Sequence, residues 1–106
     1  MKDKISIITV VFNGERYLEK TILSVINQEY DNIEYIVVDG GSTDNTLKIL
    51  ERYKSNINVL ISERDEGLSD AMNKGAKYAT GDWLLYLHAD DSFTDAKSIS
   101  KLVSAS

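Results

Sequence analysis

Apolar residues in this chain alternate between two rhythms, one suited to strands and one to helices. The segment Ile5-Ser6-Ile7-Ile8-Thr9-Val10-Val11-Phe12 is nearly continuous in β-branched residues, the pattern of a strand covered on both faces, and Asn13-Gly14 ends it. From Glu15 to Gln28 the apolar positions Leu18, Ile22, Val25 and Ile26 form one stripe of an amphipathic helix. A second strand is predicted over Glu34 to Val38. A helix carrying Leu47, Leu50 and Tyr53 then runs to about Lys54, and a short third strand spans Asn58 to Ser62. Leu68, Ala71, Met72, Gly75, Ala76 and Ala79 make the cleanest helical stripe, and its small residues point to close packing on a sheet. Thr80-Gly81-Asp82 breaks that helix, Trp83-Leu84-Leu85-Tyr86-Leu87 reads as a fourth strand, and a weaker amphipathic helix covers roughly Asp95 to Val103.

Strands alternating with helices imply an α/β fold, a Rossmann-like parallel sheet of about four strands with flanking helices and right-handed crossovers. In such a sheet the loops that follow the strands emerge at one edge, where ligands bind. The polar clusters of this chain lie in those loops: Asn13 after the first strand, Asp39 after the second, Glu63 to Asp65 after the third, His88 to Asp91 after the fourth.

The length of 106 residues makes residues 1–106 a single domain or part of one. No apolar run approaches the roughly 20 residues of a membrane span. The opening MKDKISIITVVF passes into a strand-like run without a cleavage site, and a cytoplasmic chain is the expectation. Cysteine is absent, which removes disulfides, thiolate metal sites and cysteine nucleophiles. A net charge of −5 argues against nucleic acid as a partner, and an anionic ligand would have to bring or share a cation.

The stretch Trp83 to Asp91 runs an apolar strand into two adjacent carboxylates. Asp90 and Asp91 either cap the helix near Thr94 and Asp95, or hold a hard divalent cation, Mg(II) or Mn(II), that relieves their repulsion and takes phosphate oxygens. Asp39-Gly40-Gly41-Ser42-Thr43-Asp44 is either an ordinary strand-to-helix turn or a loop that lets a ligand approach the backbone, with Asp39 accepting a hydrogen bond from a base or sugar. It matches neither a P-loop nor the dinucleotide fingerprint. His88, the one histidine, has no serine or cysteine placed for it to activate. Lys74 and Lys77 read as solvated, with Asp70, Asn73 and Lys74 within reach of the strand-end crevice. A phosphate-receiver domain would need an acidic pair after the first strand, and Phe12-Asn13-Gly14 has none.

In order, ITVVFNGERYLEKTILSVINQ, YIVVDGGSTDNTLKIL and DEGLSDAMNKGAKYATGDWLLYLHADD give nearly the whole chain a resemblance to the N-terminal, nucleotide-sugar-binding half of family 2 glycosyltransferases of the GT-A fold. The resemblance implies a metal-dependent, inverting transfer from a nucleoside diphosphate sugar, with UDP-sugars foremost, to a saccharide or lipid-linked acceptor of unknown identity. It makes Thr9 and Asp39 contacts to the base and Asp90 a contact to the ribose or diphosphate. Asp91 becomes the metal ligand of the Asp-x-Asp element, with Mg(II) or Mn(II) as the cofactor, and Asn13, Asp65 and Asn73 belong to the donor site. Two positions depart from the family: Gly40 stands where Asp-Asp-Gly-Ser is frequent, and His88 where Asp or Asn is. The general base and the acceptor half lie after the Asp-x-Asp element in the family, so the catalytic residue is unknown here. This chain is expected to bind donor, to be inactive alone, and to self-associate through the face that later elements would cover, with the intact enzyme at the membrane periphery. The reading from another class is a non-catalytic nucleotide-sugar-binding or assembly module.

Overall fold

The computed structural model describes residues 3–105. Four strands, β1 (Ile5–Val11), β2 (Ile33–Asp39), β3 (Val59–Ser62) and β4 (Trp83–Tyr86), form one sheet in the order β3-β2-β1-β4, and every pairing is parallel. The helices are α1 (Leu18–Ile26), α2 (Thr46–Arg52), α3 (Leu68–Tyr78) and α4 (Ser98–Ala105), with a short 3-10 turn at Lys54–Asn56.

The two central strands carry the core. On β1, Ile5, Ile7 and Val11 pack with Leu18 and Ile22 of α1, Leu50 of α2 and Ile99 of α4, whereas Ile8 and Val10 turn to the other face and meet Ala71 of α3. Both faces are covered, so the run reads as continuously apolar instead of alternating. Among the described residues no helix is long and apolar enough to cross a membrane.

The helices are shorter than their apolar stripes because residues at their ends are recruited elsewhere. Residues 14–17 precede α1 as a turn, with the amides of Tyr17 and Leu18 donating to the Gly14 carbonyl. The amides of Gly14 and Glu15 reach across to Thr46 and Asp44. At the other end, Gln28 leaves the helix to serve α4: its Nε2 donates to the Asp95 carbonyl at 2.8 Å and its Oε1 accepts the Ile99 amide at 3.0 Å. Asp95 stands before α4, accepting the Lys97 amide on Oδ1 at 2.7 Å.

The apolar fourth strand is exposed, on the face that later elements were expected to cover. β4 pairs only with β1 and forms the edge of the sheet, leaving Trp83 47% and Leu84 48% exposed. Leu85 and Leu87 are its links to the core. At the opposite end of the strands from the ligand edge, Glu34 ties the α3–β4 turn down: Oε1 accepts from Ser6 Oγ at 2.8 Å and from the Thr80 amide at 2.9 Å.

Candidate functional site

The chain runs outward from β1 to β2 and β3, and α3 then carries it back across to β4 on the other side of β1. That reversal opens a crevice at the carboxyl ends of the strands, the usual ligand position in such sheets. A cleft of about 310 Å³ lies there, between the end of β1, the start of α3 and His88. A second, of about 430 Å³, adjoins it over Gly40, Gly41 and Arg64. Phe12 and Asp65 line both.

Two loops form the floor as one bonded unit. Asn13 adopts a positive φ of 49°, and its Oδ1 accepts the amides of Thr43 at 2.8 Å and Asp44 at 3.3 Å. Its own amide donates to Ser42 Oγ at 2.8 Å, and Thr46 Oγ1 accepts from Gly14 at 2.9 Å. Asn13 thus acts on the neighbouring loop. Asp39 is fully buried below it. Its Oδ2 accepts from the amides of Gly41 and Ser42, each at 3.1 Å, and from Ser62 Oγ at 2.9 Å, while Oδ1 accepts from Ser42 Oγ. These donors come from the protein itself, so Asp39 shapes the loop from beneath.

Thr9 does not reach the crevice. Side chains alternate along a strand, and Thr9 shares the inner face with Ile7 and Val11. It is fully buried, 2.8 Å from Tyr35 Oη, and burial pushes the Tyr35 phenol up to about 12. From this strand end the cleft is lined by Val10, Val11 and Phe12 instead. Phe12, 63% exposed, is the residue that sequence reasoning missed; it was absorbed into the strand, although its position in register with Val10 was the available signal. Asn73 likewise lies apart: it is exposed on α3, two residues from the inward Ala71, and lines neither cleft.

The loop from Glu63 to Gly67 is pinned to α3. Lys74 Nζ donates to the Arg64 carbonyl at 3.0 Å and pairs with Glu63 at 3.2 Å and Asp70 at 3.3 Å. Desolvation pulls the Lys74 ammonium down, but those carboxylates outweigh it and hold it above its ordinary value. Asp70 accepts the Glu66 amide at 2.9 Å, which together with Lys74 lowers its carboxyl. Lys74, read as solvated, is therefore a loop anchor.

After β4 the chain turns at His88 to Asp91, closed by the Asp91 amide donating to the His88 carbonyl at 2.9 Å. Ala89 is buried, and its carbonyl lies 2.6 Å from Thr21 Oγ1 of α1, which also reaches the Asp91 carbonyl. Ser24 Oγ accepts the Phe93 amide at 3.1 Å. This backbone anchorage leaves the Asp90 and Asp91 residues exposed just after His88, which lines the cleft, and the carboxylate that accepts a backbone amide ahead of α4 is that of Asp95. The acids therefore meet solvent, which answers how they follow an apolar strand. Among the described residues, no group of three or more His, Cys, Asp or Glu gathers as a metal site. Two adjacent, accessible carboxylates nevertheless fit Mg(II) or Mn(II), which take one or two protein carboxylates and fill the rest of the shell with water and substrate phosphate.

The fold is found in known proteins. The chain is 38% identical over 100 residues to a PGL/p-HBAD biosynthesis glycosyltransferase of Mycobacterium bovis, covering 92% of this chain and 39% of that protein. It is also 38% identical over 96 residues to an uncharacterized glycosyltransferase of Haemophilus influenzae, covering 88% of this chain and 38% of the relative. The chain thus spans about two fifths of the length of these relatives. The crystal structure of S. aureus TarS 1-349 in complex with UDP-GlcNAc superimposes with a TM-score of 0.87 at 27% identity, over 95% of this chain and 30% of that one. The mannosyltransferase PcManGT of Pyrobaculum calidifontis, in complex with GDP-Man and Mn2+, shares the fold with a TM-score of 0.86 at 22% identity, over 94% of this chain and 31% of that one. The model of glycosyl transferase family 2 matches residues 6–105, and with this sheet and these relatives the chain belongs to that family.

Proposed function

We propose that this chain forms the donor site of an inverting, metal-dependent glycosyltransferase that uses a UDP-sugar. The observation that carries the reading is the meeting of Phe12, Asp65 and His88, the first residue of the turn that bears Asp90 and Asp91, on the crevice where the strand order reverses. The TarS complex with UDP-GlcNAc supports the choice of nucleotide. Phe12 offers an exposed aromatic face on which a base can stack, between two clefts that together suit a nucleotide and its sugar.

Asp90 faces the ribose or diphosphate in this reading, and Asp91 holds Mg(II) or Mn(II). The cation, when bound, neutralises charge developing on the departing diphosphate. Thr21 fixes the backbone of that turn so that both carboxylates are presented before the ligand arrives. Thr9 and Asn73 are not part of this site, and Asn13 and Asp39 act by holding its floor. The acceptor and the general base are assigned to no residue of this chain, which on this reading binds donor without transferring it.

The test is calorimetric titration of UDP in Mn(II) and again in excess chelator. Binding that needs the metal is expected, because an anionic chain repels an uncompensated diphosphate. Equal affinity in chelator would refute the metal dependence, and no binding under either condition would refute the donor site.

A further inference from the structure

Position 40 of this chain has no side chain, and its side-chain space is already occupied. An ideal Cβ on Gly40 would stand 2.5 Å from Asp65 Oδ2 and 3.2 Å from its Cγ. The Gly40 backbone is outside the left-handed region, since positive φ among the glycines is confined to Gly41 and Gly67 within the described residues. Conformation therefore does not demand glycine there. What excludes a larger residue is the carboxylate of Asp65, delivered from the end of β3 onto the end of β2.

That carboxylate is held and aimed. Asp65 Oδ1 accepts the Gly67 amide at 3.1 Å, and Lys74 fixes the preceding carbonyl at Arg64. Oδ2, the oxygen over Gly40, takes no hydrogen bond among the described residues, and Asp65 lines both clefts together with Phe12. Asp39, the other acid at the end of β2, is fully buried and takes its hydrogen bonds from Gly41, Ser42 and Ser62. One of the two acids is spent inside the protein, and the other is open to a ligand.

We propose that Asp65, seated in the side-chain space of Gly40, is the acid that reads the base of the donor by accepting its ring N–H, and that Asp39 is a positioning residue beneath it. The proposal rests on the donor-site reading above and deepens it. An ionised carboxylate only accepts. Uracil offers an N–H at N3, whereas cytosine offers a lone pair there, so a carboxylate at this point selects uridine over cytidine nucleotides. An amide at position 65 can donate as well as accept and loses that selection.

The experiment is titration of UDP and CDP in Mn(II), with thermal melting of each variant. The unaltered chain is expected to prefer UDP. Asp65→Asn should weaken UDP about tenfold or more and narrow its advantage over CDP, since a charge-assisted hydrogen bond is lost. Gly40→Ala should narrow the same ratio with little change in melting temperature, because only the far end of a flexible side chain must move aside. Asp39→Asn should lower the melting temperature and weaken both nucleotides together. A UDP-to-CDP ratio unchanged in Asp65→Asn, or unaltered binding in Gly40→Ala, overturns the proposal while leaving the donor site standing. Failure of the unaltered chain to bind either nucleotide overturns both.

Discussion

The side-chain oxygen of Asn13 holds the amide of Thr43 at 2.8 Å, joining the loop after β1 to the loop after β2. Asn13 does this from a φ of 49°, a conformation that Asn tolerates better than most residues. Asn13→Gly removes the acceptor and keeps the conformation available; Asn13→Ala removes the acceptor and adds strain. Ala is expected to be the more damaging by about 1 kcal/mol. Urea denaturation of both variants checks the order, and Ala equal to or better than Gly would show that the conformation costs nothing here.

Gly75 is a second point of close approach, between α3 and the sheet. A Cβ there would stand 2.6 Å from Ile8 Cγ2 and 3.3 Å from Val38 Cγ2, both fully buried. Gly75→Ala gains about 1 kcal/mol in helix propensity. Overpacking a core of this kind costs about 1–3 kcal/mol, and the clash should win. A net loss of stability in chemical denaturation is expected; a gain would show that α3 can lift from β1 without penalty.

Glu34 makes the fold acid-sensitive at the end remote from the site. Burial raises its carboxyl, but the amide and hydroxyl of Thr80, Ser6 and Lys4 outweigh that and hold it below its ordinary value of 4.5. A lowered folded value means that the stabilisation is fully present above 4.5 and is lost as the pH falls through the depressed value. Thermal melts from pH 7 downward should therefore show the unaltered chain losing its advantage over Glu34→Gln only below about pH 4.5. A difference between the two that stays constant to pH 3 would contradict this.

The sheet was legible in the sequence because the period of apolar positions reports directly on burial, and four strands and four helices follow from it in the right order. Helix ends were not, because their fate depends on distant partners: Gln28 leaves α1 to bond α4, and Gly14 and Glu15 are drawn to the β2–α2 loop. Site residues divide the same way. That Asp65 and His88 meet at one cleft follows from strand-end position alone. The face on which Thr9 lies does not, since a strand covered on both sides gives no polar alternation from which to read it. Nor does sequence tell that Lys74 braces a loop and that Asp65 fills the space over Gly40, for both are contacts between separate elements.

The exposed turn at the end of β4 gives the sharpest test of which side chain takes the cation. The carbonyls of Ala89 and Asp91 are held from behind by Thr21, so substituting a carboxylate leaves the backbone anchorage in place. His88 lines the cleft without that anchorage. A hard cation prefers ionised oxygen, and an amide at position 91 is a poorer ligand that also leaves the local charge less able to retain it. Asp91→Asn is therefore expected to weaken UDP binding in Mn(II) about tenfold or more, whereas His88→Asn, which alters a neighbour and not the ligand, should change it by less than about threefold. In excess chelator the unaltered chain and Asp91→Asn should converge, because the difference between them resides in the metal. The opposite order of the two variants in Mn(II) would move the cation to the histidine side of the turn and overturn the assignment of Asp91.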